Sequence, residues 1–187
     1  MSDESLIQLA LRGDGFAWET LVRQHQEAVF RLSYLLLGDP DDAEDVTQDT
    51  FVRALHALGR FDAARPLRPW LLRIATNLAH NRRRSASRYL AALQRLFIVE
   101  HSPAAAVESE SIKNMETQTL WQAVWRLPEA DQQVIYLRYF LDLPVDETAA
   151  ALGVAAGTVK SRLSRALDRL HRLIEKDFPL LGEGRKA

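Results

Sequence analysis

Cysteine is absent from the 187 residues. Disulfides and thiolate metal ligands are thereby excluded, and the absence fits a reducing compartment. Long apolar runs are missing too: no uninterrupted stretch approaches the ~18 residues of a membrane span. The N-terminal MSDESLIQLA has neither the basic start nor the apolar core of a signal peptide. A cytoplasmic chain without membrane insertion is expected. Sustained strand alternation between turn residues is also lacking. So are a glycine-rich phosphate loop, a nucleophile elbow and a metal-ligand pair. The histidines, His25, His56, His80, His101 and His171, are scattered. The expectation is therefore no catalytic residues, no metal and no cofactor.

Acidic residues are missing from one long stretch. Between Ala63 and Val99 there is none, but there are eight arginines. The formal net charge of −1 hides this segregation. From Asp39 to Asp49 six of eleven residues are acidic, the chain is acidic again from Glu100 to Glu116, and its last long helical stretch is basic. A partner meets these local faces rather than the average.

Apolar residues recur at helical intervals almost throughout. Leu6, Leu9 and Ala10 suit a first helix capped by Ser5 or Asp3. Phe16, Leu21, Val22, Val29, Leu32 and Leu36 suit a second, stopped by Gly38-Asp39-Pro40. Asp41 or Asp42 would cap a third that carries Val46, Phe51, Ala54 and Leu58. Pro66 and Pro69 bracket an irregular segment, after which Trp70, Leu71, Ile74, Ala75 and Leu78 resume the spacing. The small, polar and acidic HSPAAAVESES marks a linker, and helical spacing returns at Leu120, Val124 and Leu127. The fold class is all-α, with two small helical domains joined by a flexible linker. The expected boundaries are 1–88, a linker at 89–116, and 117–178.

The stretch LPVDETAAALGVAAGTVKSRLSRALDRL has the pattern of a helix-turn-helix. Pro144 suits a first turn, Ala149 is small where a second helix crosses, and Gly153 can take the positive φ that ends the first helix. Val159, Leu163, Ala166, Leu167, Leu170 and Leu173 share one face of the second helix. Thr158, Lys160, Ser161, Arg162, Ser164 and Arg165 crowd its first turns, where a recognition helix meets base edges and phosphates.

Upstream, RPLRPWLLRIATNLAHNRRR gathers Arg65, Arg68, Arg73, Arg82, Arg83 and Arg84 around Trp70, Asn77, His80 and Asn81, with Phe61 just before. Cations beside aromatics and amides make a surface for unpaired, extruded bases. The helix DDAEDVTQDTFVRAL presents Asp45, Gln48, Asp49 and Val52 on one side. Such an acidic, partly apolar face suits a basic protein.

Together, DAEDVTQDTF, RPWLLRIATNLAHNRRR and the helix-turn-helix segment resemble a bacterial RNA polymerase sigma factor of the extracytoplasmic-function group. The likeness covers nearly all of the chain outside the linker. It implies a region 2 at 1–88 and a region 4 at 117–178, and a promoter-specificity subunit that is not itself an enzyme. The implied partners are core RNA polymerase (its β′ clamp helices and β flap), promoter DNA and an anti-sigma factor. Asp45, Gln48, Asp49, Phe51 and Val52 would bind core polymerase. Phe61, Trp70, Arg73, Asn77, His80, Asn81, Arg82, Arg83 and Arg84 would hold the opened −10 element. Thr158, Lys160, Ser161, Arg162, Ser164 and Arg165 would read the −35 duplex. The rival is a stand-alone helix-turn-helix regulator with an N-terminal helical sensory bundle. It would bind a two-fold site as a dimer without polymerase.

Overall fold

A computed structural model describes the backbone of residues 1–96 and 120–177, and the side chains of 1–85 and 120–177. Among the described residues every regular element is helical, as expected for an all-α chain. Helices α1 (Asp3–Leu11), α2 (Gly15–Leu37), α3 (Pro40–Ala57) and α4 (Leu67–Leu96) form the N-terminal part. Helical residues 120–125 (α5), then α6 (Glu129–Ile135), α7 (Val145–Leu152) and α8 (Ala156–Asp177), form the C-terminal part. A π-helical turn at Tyr136–Phe140 extends α6. No helix among the described residues is long and apolar enough to cross a membrane.

The helix starts differ from the expected caps. Ser2, not Ser5 or Asp3, caps α1 by accepting from the Ser5 N–H. Asp39, not Asp41 or Asp42, caps α3: its Oδ1 accepts from the Asp42 N–H at 2.8 Å, and Pro40 takes the first position, where no N–H is needed. Asp41 and Asp42 then sit in the first turn, where their charge complements the helix dipole. Pro66 and Pro69 do not bracket an irregular segment. Helix α4 begins at Leu67, and Pro69 lies inside its first turn, where a proline is tolerated.

One apolar cluster joins α1 to α4. Ile7, Leu21, Leu32, Val46, Leu58 and Leu72 are fully buried in it. The same cluster continues into the C-terminal part through Tyr136, Leu137, Leu141 and Leu143. A second, smaller cluster packs α6, α7 and α8 on one another through Leu127, Val134, Ala149, Val159 and Ala166. There Arg169 of α8 pairs with the buried Asp131 of α6 at 2.5 Å.

Candidate nucleic-acid interface

Helices α7 and α8 form the expected helix-turn-helix. Gly153 closes α7 with φ 66°. Its N–H donates to the Ala150 carbonyl at 3.3 Å, and the Val154 N–H donates to the Ala149 carbonyl at 3.0 Å, a pairing that satisfies the last carbonyls of the helix. Thr148 is completely buried, and its hydroxyl donates to the Pro144 carbonyl at 2.9 Å, so a polar side chain is tolerated in this core. Val159 and Ala166 of α8 are fully buried. Lys160, Ser161, Ser164 and Arg165 are exposed, and Thr158 and Arg162 half-exposed. No acidic residue occurs from 156 to 167. The first turns of α8 thus offer a cationic and hydroxyl surface, without an ion pair among the described residues, of the width that enters a major groove.

The second surface runs along α4. Phe61 and Trp70 lie with ring centroids 4.6 Å apart, inclined at 35°. They wall a cavity of about 540 Å³ lined by Arg60, Arg65 and Arg73 and also by the acidic Asp62, Asp146 and Glu147. An aromatic wall edged by guanidinium groups can take a flat, polar, anionic-backbone ligand. Arg73, Asn77, Asn81 and Arg84 follow at intervals of three or four and are all exposed. They form one stripe leading from the cavity.

The other expected α4 residues point elsewhere. Arg82 lies four and seven residues after the buried Leu78 and Ala75, so its stripe faces α3. There its Nε donates to Asp42 and an Nη to Asp45, both at 2.8 Å. The Asp42 hydrogen bond raises its already high pKa. His80 meets Glu129 at the start of α6, Nδ1 to Oε1 at 2.8 Å. Arg83 lines a small seam with Trp125 and the end of α2. The apolar positions of α4 already signal these directions: a residue four after a buried leucine faces that leucine's neighbour.

On α3, Asp45, Gln48, Asp49 and Val52 share an exposed face. Phe51 does not: it is 8% exposed and packs edge-on against Trp18, centroids 6.3 Å apart. Beside that face, Phe30 and Tyr34 of α2 stack nearly parallel at 6.3 Å while remaining partly exposed. Sequence reasoning passed over this pair. Its signal was two aromatics four apart, off the apolar stripe of Val29, Leu32 and Leu36. A cavity of about 500 Å³ lies between α2 and α3, lined in part by Phe30, Glu44 and Gln48.

The C-terminal part covers a flank of α4. Arg68 donates to the Leu141 carbonyl at 3.0 Å. Leu141 and Leu143 are buried against it, and burial pushes the Tyr136 phenol well above its usual range, keeping it neutral. Trp125 lies over Gly38, whose φ is 75°. A β-carbon there would stand 2.2 Å from the indole, so only glycine fits.

Comparison with known proteins agrees with this arrangement. Residues 21–89 match the family model for Sigma-70 region 2, and residues 117–170 match Sigma-70, region 4. The RNA polymerase sigma factor NccH of Alcaligenes xylosoxydans xylosoxydans is 33% identical, over 92% of this chain and 95% of its own. The ECF RNA polymerase sigma factor SigW of Bacillus subtilis (strain 168) is 31% identical, over 89% and 93%. Among solved structures, CnrH in complex with the cytosolic domain of CnrY superposes with a TM-score of 0.69 and 28% identity, covering 94% of this chain and 98% of that one. Two region models matched in order, with relatives above 30% identity along most of both chains, place the chain in the sigma-70 family, among the extracytoplasmic-function sigma factors of RNA polymerase.

Proposed function

We propose that this sigma factor docks on core polymerase through the exposed face of α3, reads the −35 duplex with the first turns of α8, and holds the opened −10 strand along α4. The observation that carries the reading is the pairing of two unlike surfaces on one chain. One is a protruding cationic helix suited to a groove. The other is an aromatic cavity with a stripe of amides and arginines, suited to bases out of the stack. The chain performs no chemistry in this scheme and acts in the cytoplasm, where polymerase supplies catalysis. Bases become available to the cavity only when the duplex opens, so their capture favours opening.

Residue roles follow the geometry. Asp45, Gln48, Asp49 and Val52 meet the β′ clamp helices, with Phe51 supporting them from beneath. Phe61 and Trp70 take a flipped base, and Arg73, Asn77, Asn81 and Arg84 track the strand. His80, Arg82 and Arg83 set the position of α4. Thr158, Lys160, Ser161, Arg162, Ser164 and Arg165 contact −35 bases and phosphates. Region 4 also meets the β flap, and an anti-sigma factor restrains the whole.

Transcription in vitro with core polymerase on a promoter library tests the reading. Specific initiation is expected only when the chain is added. Tight binding to a palindromic duplex by a dimer, with no polymerase present, would establish the stand-alone regulator instead.

A further inference from the structure

We propose that the free chain associates head to tail with a second copy of itself, the acidic aromatic face of α2 and α3 on one copy seating in a cationic groove beside the end of α8 on the next.

The groove lies on the C-terminal part. Leu127 and Pro128, between α5 and α6, and Leu173 of α8 line a cavity of about 300 Å³, and Arg126, Arg169, Arg172 and Lys176 surround it. Arg126 and Arg169 are paired within the chain, with Asp177 and Asp131. Arg172 and Lys176 are exposed and have no carboxylate partner among the described residues. They stand away from the proposed DNA surface. Arg172 lies ~18 Å further along the helix axis than Lys160, at about 1.5 Å per residue.

The complementary face lies on the N-terminal part. Phe30 and Tyr34, stacked and partly exposed, rise from α2. Glu27 of α2 and Glu44 of α3 join Phe30 at the cavity between these helices, and the exposed Asp49 and Val52 follow on α3. Glu27, Glu44 and Asp49 form no ion pair among the described residues. Aromatic rings fill an apolar groove well, guanidinium groups pack on their faces, and carboxylates beside them can meet Arg172 and Lys176.

Both halves of the contact are open on one molecule, since among the described residues no ion pair joins α2 or α3 to α8. The formal net charge of −1 gives two copies little mutual repulsion, while the unlike faces attract. The halves are different surfaces, so the contact is heterologous. A pair still has one free face and one free groove, and assembly continues as a chain or closes as a ring. The acidic half includes Asp49 and Val52, so association hides the face proposed above for core polymerase. That consequence alone rests on the proposed docking of α3.

Sedimentation equilibrium of the full chain, without polymerase, tests the contact. The mean mass should rise with concentration above that of the monomer. Raising sodium chloride from about 0.1 M to about 1 M shortens the screening length from roughly 10 Å to roughly 3 Å and should lower the association constant roughly tenfold or more. Arg172→Glu with Lys176→Glu should leave a monomer, and so should Glu27→Lys with Asp49→Lys. Mixing these two variants should restore association, because the reversed groove of one fits the reversed face of the other. Two misfolded chains would not do this. Tyr34→Ser should weaken association at both salt concentrations. A chain that is monomeric throughout overturns the proposal and leaves the groove to an acidic partner of another kind. Association that survives either reversal, or that mixing does not restore, overturns it too. Core polymerase added to the assembled chain should release single chains bound to core. If core binds while the assembly persists, self-association stands and the proposed docking of α3 on polymerase fails.

Discussion

The two surfaces suited to DNA differ in how their charges are held. On α8, Lys160, Arg162 and Arg165 project from turns with no acidic residue, and Arg165 donates to the Ser161 carbonyl of its own helix at 3.2 Å. On α4 several polar side chains are engaged, Arg82 with Asp42 and Asp45, Arg68 with the Leu141 carbonyl and His80 with Glu129, while Arg73 and Arg84 are exposed. A surface that meets intact duplex can stand ready, since its ligand is always present. A surface proposed for bases that exist only after melting has part of its charge engaged by the protein itself. Both stretches are basic in the sequence, but their charges are held differently.

That contrast depends on the seam between the regions, and breaking the seam gives the largest effect. Leu143 is completely buried in it. Leu143→Ala should cost ~2–5 kcal/mol. In the parent the shared cluster should make unfolding one cooperative transition. In the variant, calorimetry should show two, with the C-terminal part melting first. A single sharp transition in the variant, with an unchanged midpoint, would mean that the seam contributes nothing and that the two surfaces are independent.

Next comes the division of labour. Arg165→Ala should weaken binding to duplex −35 DNA by ~1–3 kcal/mol if it reads a base, with little effect on a template already mismatched through the −10 element. Asn77→Ala should do the reverse. Holoenzyme affinities for duplex, pre-melted and single-stranded templates measure both. Equal losses on all three would erase the distinction between the surfaces.

How much of this was legible beforehand differs between the two surfaces as well. The helix-turn-helix could be read almost completely, because its signals are local: Gly153 takes the left-handed conformation, Pro144 precedes α7, and Val159 falls on the buried face. The same holds for the all-α class and the break after Gly38. On α4 the composition pointed to a strand-binding surface but not to the aim of each side chain. Arg82, Arg83 and Arg84 are consecutive, yet successive helix residues turn by about 100°, so the three face α3, the seam and the outer stripe. Which face receives a partner is set by chain elements 37 to 49 residues away, and no local pattern encodes that. Phe51 was placed inward by its own spacing, and its polymerase-binding role came from the resemblance alone. It lies three residues before Ala54 and seven before Leu58, both buried, the interval of one helix face.

Arg82 offers a smaller, sharper test. Its side chain is 38% exposed, so solvent screens the two ion pairs, and Arg82→Ala should cost only about 1 kcal/mol of stability. Removing it also leaves Asp42 and Asp45 facing one another, which the α3 dipole partly offsets. Asp42→Asn combined with Arg82→Ala should cost less than the sum of the singles, as expected for residues in contact. If Arg82 positions α4, its loss should lower opening of duplex promoters and leave the salt dependence of single-strand binding unchanged. A salt slope reduced by about one unit would show that Arg82 holds a phosphate after all.

The smallest effect concerns Lys160, and it tests whether the exposed charge on α8 is used as the contrast requires. Lys160 lies in the first turns of α8, exposed and beyond ion-pair distance of any carboxylate among the described residues. A lysine that meets a phosphate displaces one condensed counterion, so log K falls with log salt by about 0.9 per contact on B-form DNA. Lys160→Ala should therefore reduce the salt slope for −35 duplex binding by about one unit and weaken binding to all sequences alike. Arg165→Ala should instead change the preference among sequences. The two variants, titrated on matched and mismatched −35 duplexes at several salt concentrations, separate positioning from reading. If Lys160→Ala alters sequence preference while the slope holds, the lysine reads a base edge. If neither changes, the helix enters the groove on its other side, and the ready surface is not the one described.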